Sequence, residues 1–349
     1  MSKRGKHIPQ NNRDSNSNQS RSAKALLIIT MVLLVIVILF CSALIVVNSY
    51  LNRIERVDND EVEYVAPEDQ TFETDSSAGI DVDPDITITE AEDIEWWESE
   101  NLDDDHLVNI MLVGQDSRGN TRERSDAMIL CSINTETNEV ALISFLRDLY
   151  VQIPGYYDNR MNAAYAFGGF PLLYDVMQTN FGITCDGGIE VNFEGFKDVV
   201  DAVGGVDIEL TYGEANIVGG GATQGMNHLN GEQALEYARI RKLDNDFGRT
   251  NRQRIVMQAI LNSVRDLGVT ELLGLVDTVI PMVTTDMTNA QIIDLAMAAI
   301  PMLSDLELQS YRIPTDDAYY LTMIREMSVL VPDLELCQQY LREDFLPLD

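Results

Sequence analysis

Twenty-three consecutive uncharged residues, ALLIITMVLLVIVILFCSALIVV from Ala25 to Val47, constrain this chain more than any other feature. As a helix the run reaches roughly 35 Å at ~1.5 Å per residue, enough to cross a hydrocarbon core of ~30 Å. It is longer than the apolar core of a secretion signal, and no small-residue cleavage site follows. One transmembrane helix is therefore expected over 25–47. Before it, Lys3, Arg4, Lys6, Arg13, Arg21 and Lys24 face the single acid Asp14 among Asn, Ser and Gln. Residues 1–24 are expected to be a disordered basic tail. Its charge holds the N-terminus in the cytoplasm and puts everything after about Tyr50 outside the cell membrane.

Beyond the span the charge reverses. No Lys or Arg occurs from Val57 to Ser117, and twenty acids lie between Asp58 and Asp105. Such a stretch repels itself, so 48–105 reads as an extended extracellular stalk. Trp96 and Trp97 either begin the folded part or dock onto it. The whole chain carries a formal charge of −33, which argues against nucleic acid or an anionic bilayer surface as its general partner. The external cysteines, Cys131, Cys185 and Cys337, are odd in number and lack metal-ligand spacing. Cys131 alternates with apolar neighbours and reads as core. A Cys185–Cys337 bridge is left open, and a zinc site is not expected.

Folding is expected from about His106. LVNIMLVG (107–114) reads as a buried strand, and AMILCSI and EVALISF around NTETN as a β-hairpin. A Gly-Gly break precedes a helix from about Pro171 to Asn180, closed by Gly182. IEVNF, EGFKDVVDAVGG and VDIEL read as strand, helix and strand. YGEANIVGGGATQGMNH reads as a glycine-rich loop without the ending of a phosphate-binding P-loop. Asn230 and Gln233 form a capping box for the next helix, and DFGRTNRQRIVMQAILNSVRDLG is a second one ending near Gly268. After one or two more helices, MSVLVPD is a strand and LELCQQYLREDF a last helix. Strands alternating with helices imply an α/β layered domain with a mixed sheet over 106–349.

The positive charge is unevenly placed. Of sixteen cations after residue 56, fourteen are arginine, and eleven of the sixteen fall in two groups. Arg118, Arg122, Arg124, Arg147 and Arg160 flank the first three strands. Arg239, Arg241, Lys242, Arg249, Arg252 and Arg254 surround the start of the second helix. The hairpin register puts 124–126 and 147–148 at one sheet end, where the chain after Gly114 can join them. Asp116, Arg118, Arg124, Asp126, Arg147 and Asp148 can then converge where α/β ligands bind. On a helix opening near Asp246, Arg249, Arg252 and Gln253 share a face. Arg239 and Arg241, two apart, serve one ligand only where the chain leaves its helix. Guanidinium forks suit phosphate oxygens. Carboxylates among them would repel an anion unless a cation sits between, and Mg²⁺ suits that place. A diphosphate accounts for both signs. Arg147 and Arg249 are expected to be solvent-facing ligand groups.

GQDSR, RSDAMIL, SFLRDLYVQIPG, MNAAYAFGG, VNFEGFKDVVDAVGGVDIE, LNGEQALEYARIRK and DFGRTNRQ together resemble the LytR-CpsA-Psr family over 107–262, with weaker likeness near VLVPD. Gln115 stands where that pattern more often has Thr, and Leu146 where it has Pro; Arg160 supplies the usual cation before MNAAY. The resemblance implies an α/β/α layered domain with a central mixed sheet and an apolar polyprenyl-binding cavity. It implies a Mg²⁺-dependent phosphotransferase, with Mn²⁺ as the substitute ion. This enzyme would move an anionic glycopolymer (teichoic acid or capsule type) from a polyprenyl diphosphate carrier to peptidoglycan. On the matching positions, Asp116 and Asp126 would hold the metal. Arg118, Arg124, Arg147, Arg239, Arg241, Arg249 and Gln253 would bind the diphosphate, and Asp246 would orient an arginine or assist proton transfer. Asp148 and Asp246 both remain candidate bases. Phosphoryl transfer needs positioning and charge stabilisation above all, which fits this residue set. A diphosphate hydrolase and a non-catalytic sensor of anionic polymer are the competing readings. A DNA-binding regulator fares worst, with no basic helix-turn-helix evident.

Overall fold

The structure is a computed structural model that describes residues 47–75, 86–115, 122, 124–240, 242–243, 246–265, 274–275, 277–302 and 307–348. The chain divides into two units, 1–52 and 53–349. In the first, 47–51 is helical, and the expected span over 25–47 otherwise lies outside the described residues. Among the described residues no helix is long and apolar enough to cross a membrane.

The second unit is built on a seven-stranded mixed sheet. Its strands are β1 (Glu55–Arg56), β2 (Leu107–Gln115), β3 (Ser125–Asn134), β4 (Glu139–Phe145), β7 (Gly187–Asn192), β10 (Val283–Thr285) and β11 (Glu307–Ile313), in the order β1-β10-β7-β2-β3-β4-β11. The remaining strands form three two-stranded ribbons: β5 (Tyr150–Val151) with β6 (Asn159–Arg160), β8 (Val206–Leu210) with β9 (Gly225–Leu229), and β12 (Tyr319–Ile324) with β13 (Met327–Pro332). The β2–β3–β4 meander is antiparallel, while β7 and β11 join it in parallel. Parallel joins need crossovers, and helices supply them.

Period-two alternation sorts the strand residues between two faces. Met111, Met128, Leu130, Ile143 and Phe145 pack with α1 (Asn162–Phe181), in a core that includes Tyr165, Phe170 and Phe181. The other face looks towards α2 (Phe193–Ala202), α4 (Gly231–Ala238) and α5 (Asp246–Arg265). The α1 helix is broken where two glycines were read as a break. Gly169 sits at φ +62°, and Pro171 restarts the turn without needing the missing hydrogen bond. Gly182 ends the helix in the left-handed region at φ +69°.

Three readings need correction. The glycine-rich loop over 212–228 contains α3 (Tyr212–Val218), opened by a capping box between Thr211 and Glu214, and then β9. The glycines ending that helix and lining the turn masked the cap that starts it. In the tail, β10, β11 and β12 were missed. The acidic stretch, where described beyond residue 52, lies on the domain rather than standing off it. Val65 donates to Phe167 O at 2.8 Å, Leu102 to Gly182 O at 2.8 Å, and β1 pairs with β10 at the sheet edge. Asp75 is fully buried, taking hydrogen bonds from Arg160 Nη2 at 2.6 Å and Ser328 N at 2.9 Å. Repulsion counted along the chain overlooked the arginines across from it.

Cys131, Cys185 and Cys337 are all free thiols, so the open Cys185–Cys337 pairing does not form. Burial raises the thiols of Cys131 and Cys337 to about 12 and raises that of Cys185 as well. A thiol held protonated is a poor nucleophile. The folded protein is expected to melt at the same temperature with and without dithiothreitol. A reductant-dependent shift would reveal a bridge.

Candidate functional site

The face of the sheet opposite α1 carries two rows of side chains across neighbouring strands. Ile189, Leu112 and Ile129 are register partners, and so are Val191, Gly114 and Ala127. With Phe196, Val199 and Leu235 above them, they line a largely apolar cavity of about 180 Å³. Gly114 and Ala127 carry little or no side chain, which keeps the second row shallow.

This greasy space shares Asp126, Phe193, Arg239 and Gln253 with a larger polar cavity of about 770 Å³. Arg249, Lys242 and Glu236 also line the polar part. The α5 helix joins the two environments on one face. Arg249 and Gln253 are one turn apart in the polar part, and Met257 and Ile260 continue the face into the apolar part. The sequence stretch RTNRQRIVMQAI thus grades from guanidinium through amide to thioether and alkyl.

Arg239 caps the C-terminus of α4 as the chain leaves the helix. Its guanidinium lies 4.4 Å from the centroid of Phe193, the first residue of α2. Such a contact holds a planar fork in orientation and is worth about 0.5–2 kcal/mol. Phe193 is in turn placed by Asn192, whose side chain caps α2 through Gly195 N at 2.8 Å.

Asp126 enters the cavity wall from the start of β3 and pairs with Arg147 Nη1 at 3.0 Å. This brings together the strand ends that the hairpin register aligned. Arg147 Nε faces Asp148 Oδ2 at 3.4 Å, and the other oxygen of Asp148 faces Arg160 Nε at 3.4 Å. The expectation that Arg147 and Arg249 face solvent is overturned: the Arg147 side chain is 17 % exposed and Arg249 2 %. A guanidinium can be buried where carboxylates and a polar cavity replace water around it.

The other described arginines of the two groups do not line the cavity. Arg124 bonds to Asn162 Oδ1 at 3.2 Å and Thr71 O at 3.1 Å, and is absent from the cavity lining. Burial pulls its guanidinium below the ordinary value, with Glu73 opposing the shift. Arg122 and Arg160 likewise hold the acidic stretch, through Glu63 O and Asp75. Arg252 is buried against Glu214 at 3.4 Å and Ile240 O at 2.8 Å. Arg254 donates to Tyr311 O, and burial lowers it to about 10. Asp116, Arg118 and Arg241 lie outside the described residues. Asp246 opens α5, but its side chain also lies outside them.

Phe193, Asn216, Ile217 and Glu236 line the polar cavity and were not singled out from the sequence. Asn216 and Ile217 sit on α3, where the Thr211–Glu214 capping signature was the available signal. A divalent cation fits this donor set in kind. Among the described residues no three His, Cys, Asp or Glu side chains group as a metal site. Asp126 is nevertheless a hard oxygen donor in the cavity wall, and Mg²⁺ needs only one or two carboxylates beside phosphate oxygens.

Comparison with known proteins places this architecture. The LytR_cpsA_psr family model matches residues 74–335. The polyisoprenyl-teichoic acid–peptidoglycan teichoic acid transferase TagU of Bacillus mycoides (strain KBAB4) is 39 % identical over 192 residues, 54 % of this chain and 63 % of that protein. TagU of Oceanobacillus iheyensis is 43 % identical over 164 residues, 44 % of this chain and 51 % of that protein. The chain thus spans less than two thirds of these relatives. Among solved structures, protein gbs0355 of Streptococcus agalactiae superposes with a TM-score of 0.57 at 26 % identity, covering 68 % of this chain and 87 % of that one. TagT bound to LIIa-WTA shares the fold with a TM-score of 0.58 at 22 % identity, over 74 % of this chain and 99 % of that one.

Proposed function

Because this chain belongs to the LytR_cpsA_psr family, we propose that it is a phosphotransferase moving an anionic glycopolymer, of teichoic acid or capsule type, from a polyprenyl diphosphate carrier to peptidoglycan. The observation that carries this reading is the joined cavity, polar with arginines at one end and apolar at the other. A prenyl diphosphate has the same polarity gradient. Its lipid end would lie between the sheet and α2, α4 and α5, and its charged end among Arg239, Lys242 and Arg249. The relatives' name, polyisoprenyl-teichoic acid–peptidoglycan teichoic acid transferase, supports a polyisoprenyl-linked polymer as donor and peptidoglycan as acceptor.

In the reaction, a peptidoglycan hydroxyl oxygen forms a bond to the phosphorus that carries the sugar. The bridging P–O bond breaks, and polyprenyl phosphate leaves with the electron pair. The cationic forks face the non-bridging oxygens as charge moves onto the leaving phosphate. Gln253, at the junction of the two cavities, offers an amide donor to the same phosphate. Asp116 and Asp126 would hold Mg²⁺, with Mn²⁺ as its substitute; bound there, the ion would neutralise phosphate charge. Both oxygens of Asp148 already face guanidinium groups, so this reading makes it a positioning carboxylate. Asp246 is then the group assigned to take the hydroxyl proton.

The membrane helix over 25–47 would keep the catalytic unit outside the cell and beside its lipid-borne donor. Fractionation should recover the chain with membranes, and protease added to intact cells should cleave it.

The direct test is transfer of a labelled polymer from a synthetic prenyl diphosphate donor onto purified peptidoglycan. Covalent attachment that survives detergent extraction supports transfer. Release of free polymer phosphate alone identifies a hydrolase. Substituting Ile129→Trp should fill the apolar cavity. Affinity for a long-chain donor is expected to fall while a short-chain donor is spared, as read by binding across a chain-length series. Overpacking of about 1–3 kcal/mol would show separately in the melting temperature. Equal losses for both donors would remove the lipid from this cavity.

A further inference from the structure

Trp96 and Trp97 are the chain's only tryptophans, and the site above uses neither. Trp96 is anchored: its ring stacks on Tyr150 at 6.0 Å, and its Nε1 donates to Asp158 at 3.1 Å. Trp97 is 40 % exposed. The two rings form the shared wall of two open hollows, of about 620 Å³ and about 280 Å³. Tyr319, Tyr320 and the carboxylates of Asp93, Glu95 and Glu335 line the larger one. Gln152, Gln178, Thr179 and Ser99 are on the smaller.

We propose that this cleft is a carbohydrate subsite that seats the glycan strand of the acceptor. The proposal rests on the reading of the chain as a polymer transferase. A pyranose ring has an apolar C–H face and a rim of hydroxyls. Exposed rings such as Trp97 and Tyr320, the latter 51 % exposed, offer a flat apolar surface to the first. Neighbouring amides donate to and accept from the second, and the carboxylates accept from it. Charge then selects between the two polymers of the reaction. No Lys or Arg lines either hollow among the described residues, and the larger one is rimmed by carboxylates. A phosphate-bearing donor polymer is repelled there, whereas the sugars of a glycan backbone are not.

The cleft also connects to the transfer site. Tyr319 on its wall packs against Phe247 with ring centroids 5.4 Å apart. Phe247 is in the first turn of α5, two residues before Arg249. The cleft wall therefore touches the turn of α5 that carries the proposed base and a cavity arginine.

Because both tryptophans line the cleft, emission of the intact protein reports on it directly. The full chain in detergent should be titrated with the tetramer of N-acetylglucosamine and, separately, with polyglycerol phosphate. A saturable emission change is expected with the sugar and none with the phosphate polymer. By calorimetry, Trp97→Ala and Tyr320→Ala should each weaken sugar binding up to roughly tenfold, and Trp97→Phe should retain most of it. In the transfer assay Trp97→Ala should raise the acceptor KM by a similar factor and leave kcat and donor binding unchanged. Wild-type protein that ignores the sugar, a cleft that prefers the phosphate polymer, or variants that bind and turn over like wild type would each overturn the proposal. Trp97-dependent sugar binding in a protein that catalyses no transfer would support a glycan cleft and refute the transferase reading instead.

Discussion

Arg249→Ala is expected to reduce polymer transfer by roughly 10²–10³-fold, the loss typical of removing one donor aimed at developing charge. Arg249 lines the polar cavity one turn before Gln253, yet only 2 % of it is exposed. For so buried a guanidinium, a fork facing phosphate oxygens is worth more than on a surface. Burial also means that the variant is expected to lose stability, so the rate must be normalised to the folded fraction from circular dichroism. Arg249→Lys separates the two effects. It keeps the charge but not the bidentate fork, and transfer should still fall steeply. Wild-type rates in folded Arg249→Ala protein would remove this residue from the reaction and with it the placement of the diphosphate.

The largest stability effect is expected away from the cavity. Asp75→Ala should cost about 3–5 kcal/mol, because a buried guanidinium loses the nearer of its two carboxylates, keeping only Asp148 at 3.4 Å, and Ser328 N loses its acceptor. Arg160 is 3 % exposed, and Asp75 is fully buried against it and against the backbone of β13. Urea unfolding measures the cost. Adding Arg160→Met should recover part of it, since removing both charges is far cheaper than removing one. Were Asp75 part of a free stalk, its replacement would change stability by less than about 0.5 kcal/mol.

These two residues also mark how far the sequence could be read. Arg249 and Gln253 were paired by helix spacing alone, because a period of 3.6 residues is local and calculable. Asp126 and Arg147 were brought to one sheet end by counting across a hairpin, and they pair at 3.0 Å. The capping box at Asn230 was visible for the same reason. Asp75 was not visible: one acid among twenty is indistinguishable from its neighbours until its partner at position 160 arrives across the fold. Arg124 and Arg160 looked like anion ligands by type, and their guanidinium groups hold the acidic stretch instead. Residue type says what a side chain can bind. It does not say which of two anionic claimants reaches it first.

By itself the sequence determined the class of the fold, the uncharged run and the residue types that a diphosphate site requires, since periodicity, hydropathy and side-chain chemistry are properties of short stretches. The tertiary structure alone decided which arginines enter the cavity and which brace the chain. It also decided that the acidic segment packs on the domain, and that a polar hollow opens into an apolar one. Those outcomes depend on distances between residues far apart in the chain, and only packing sets them.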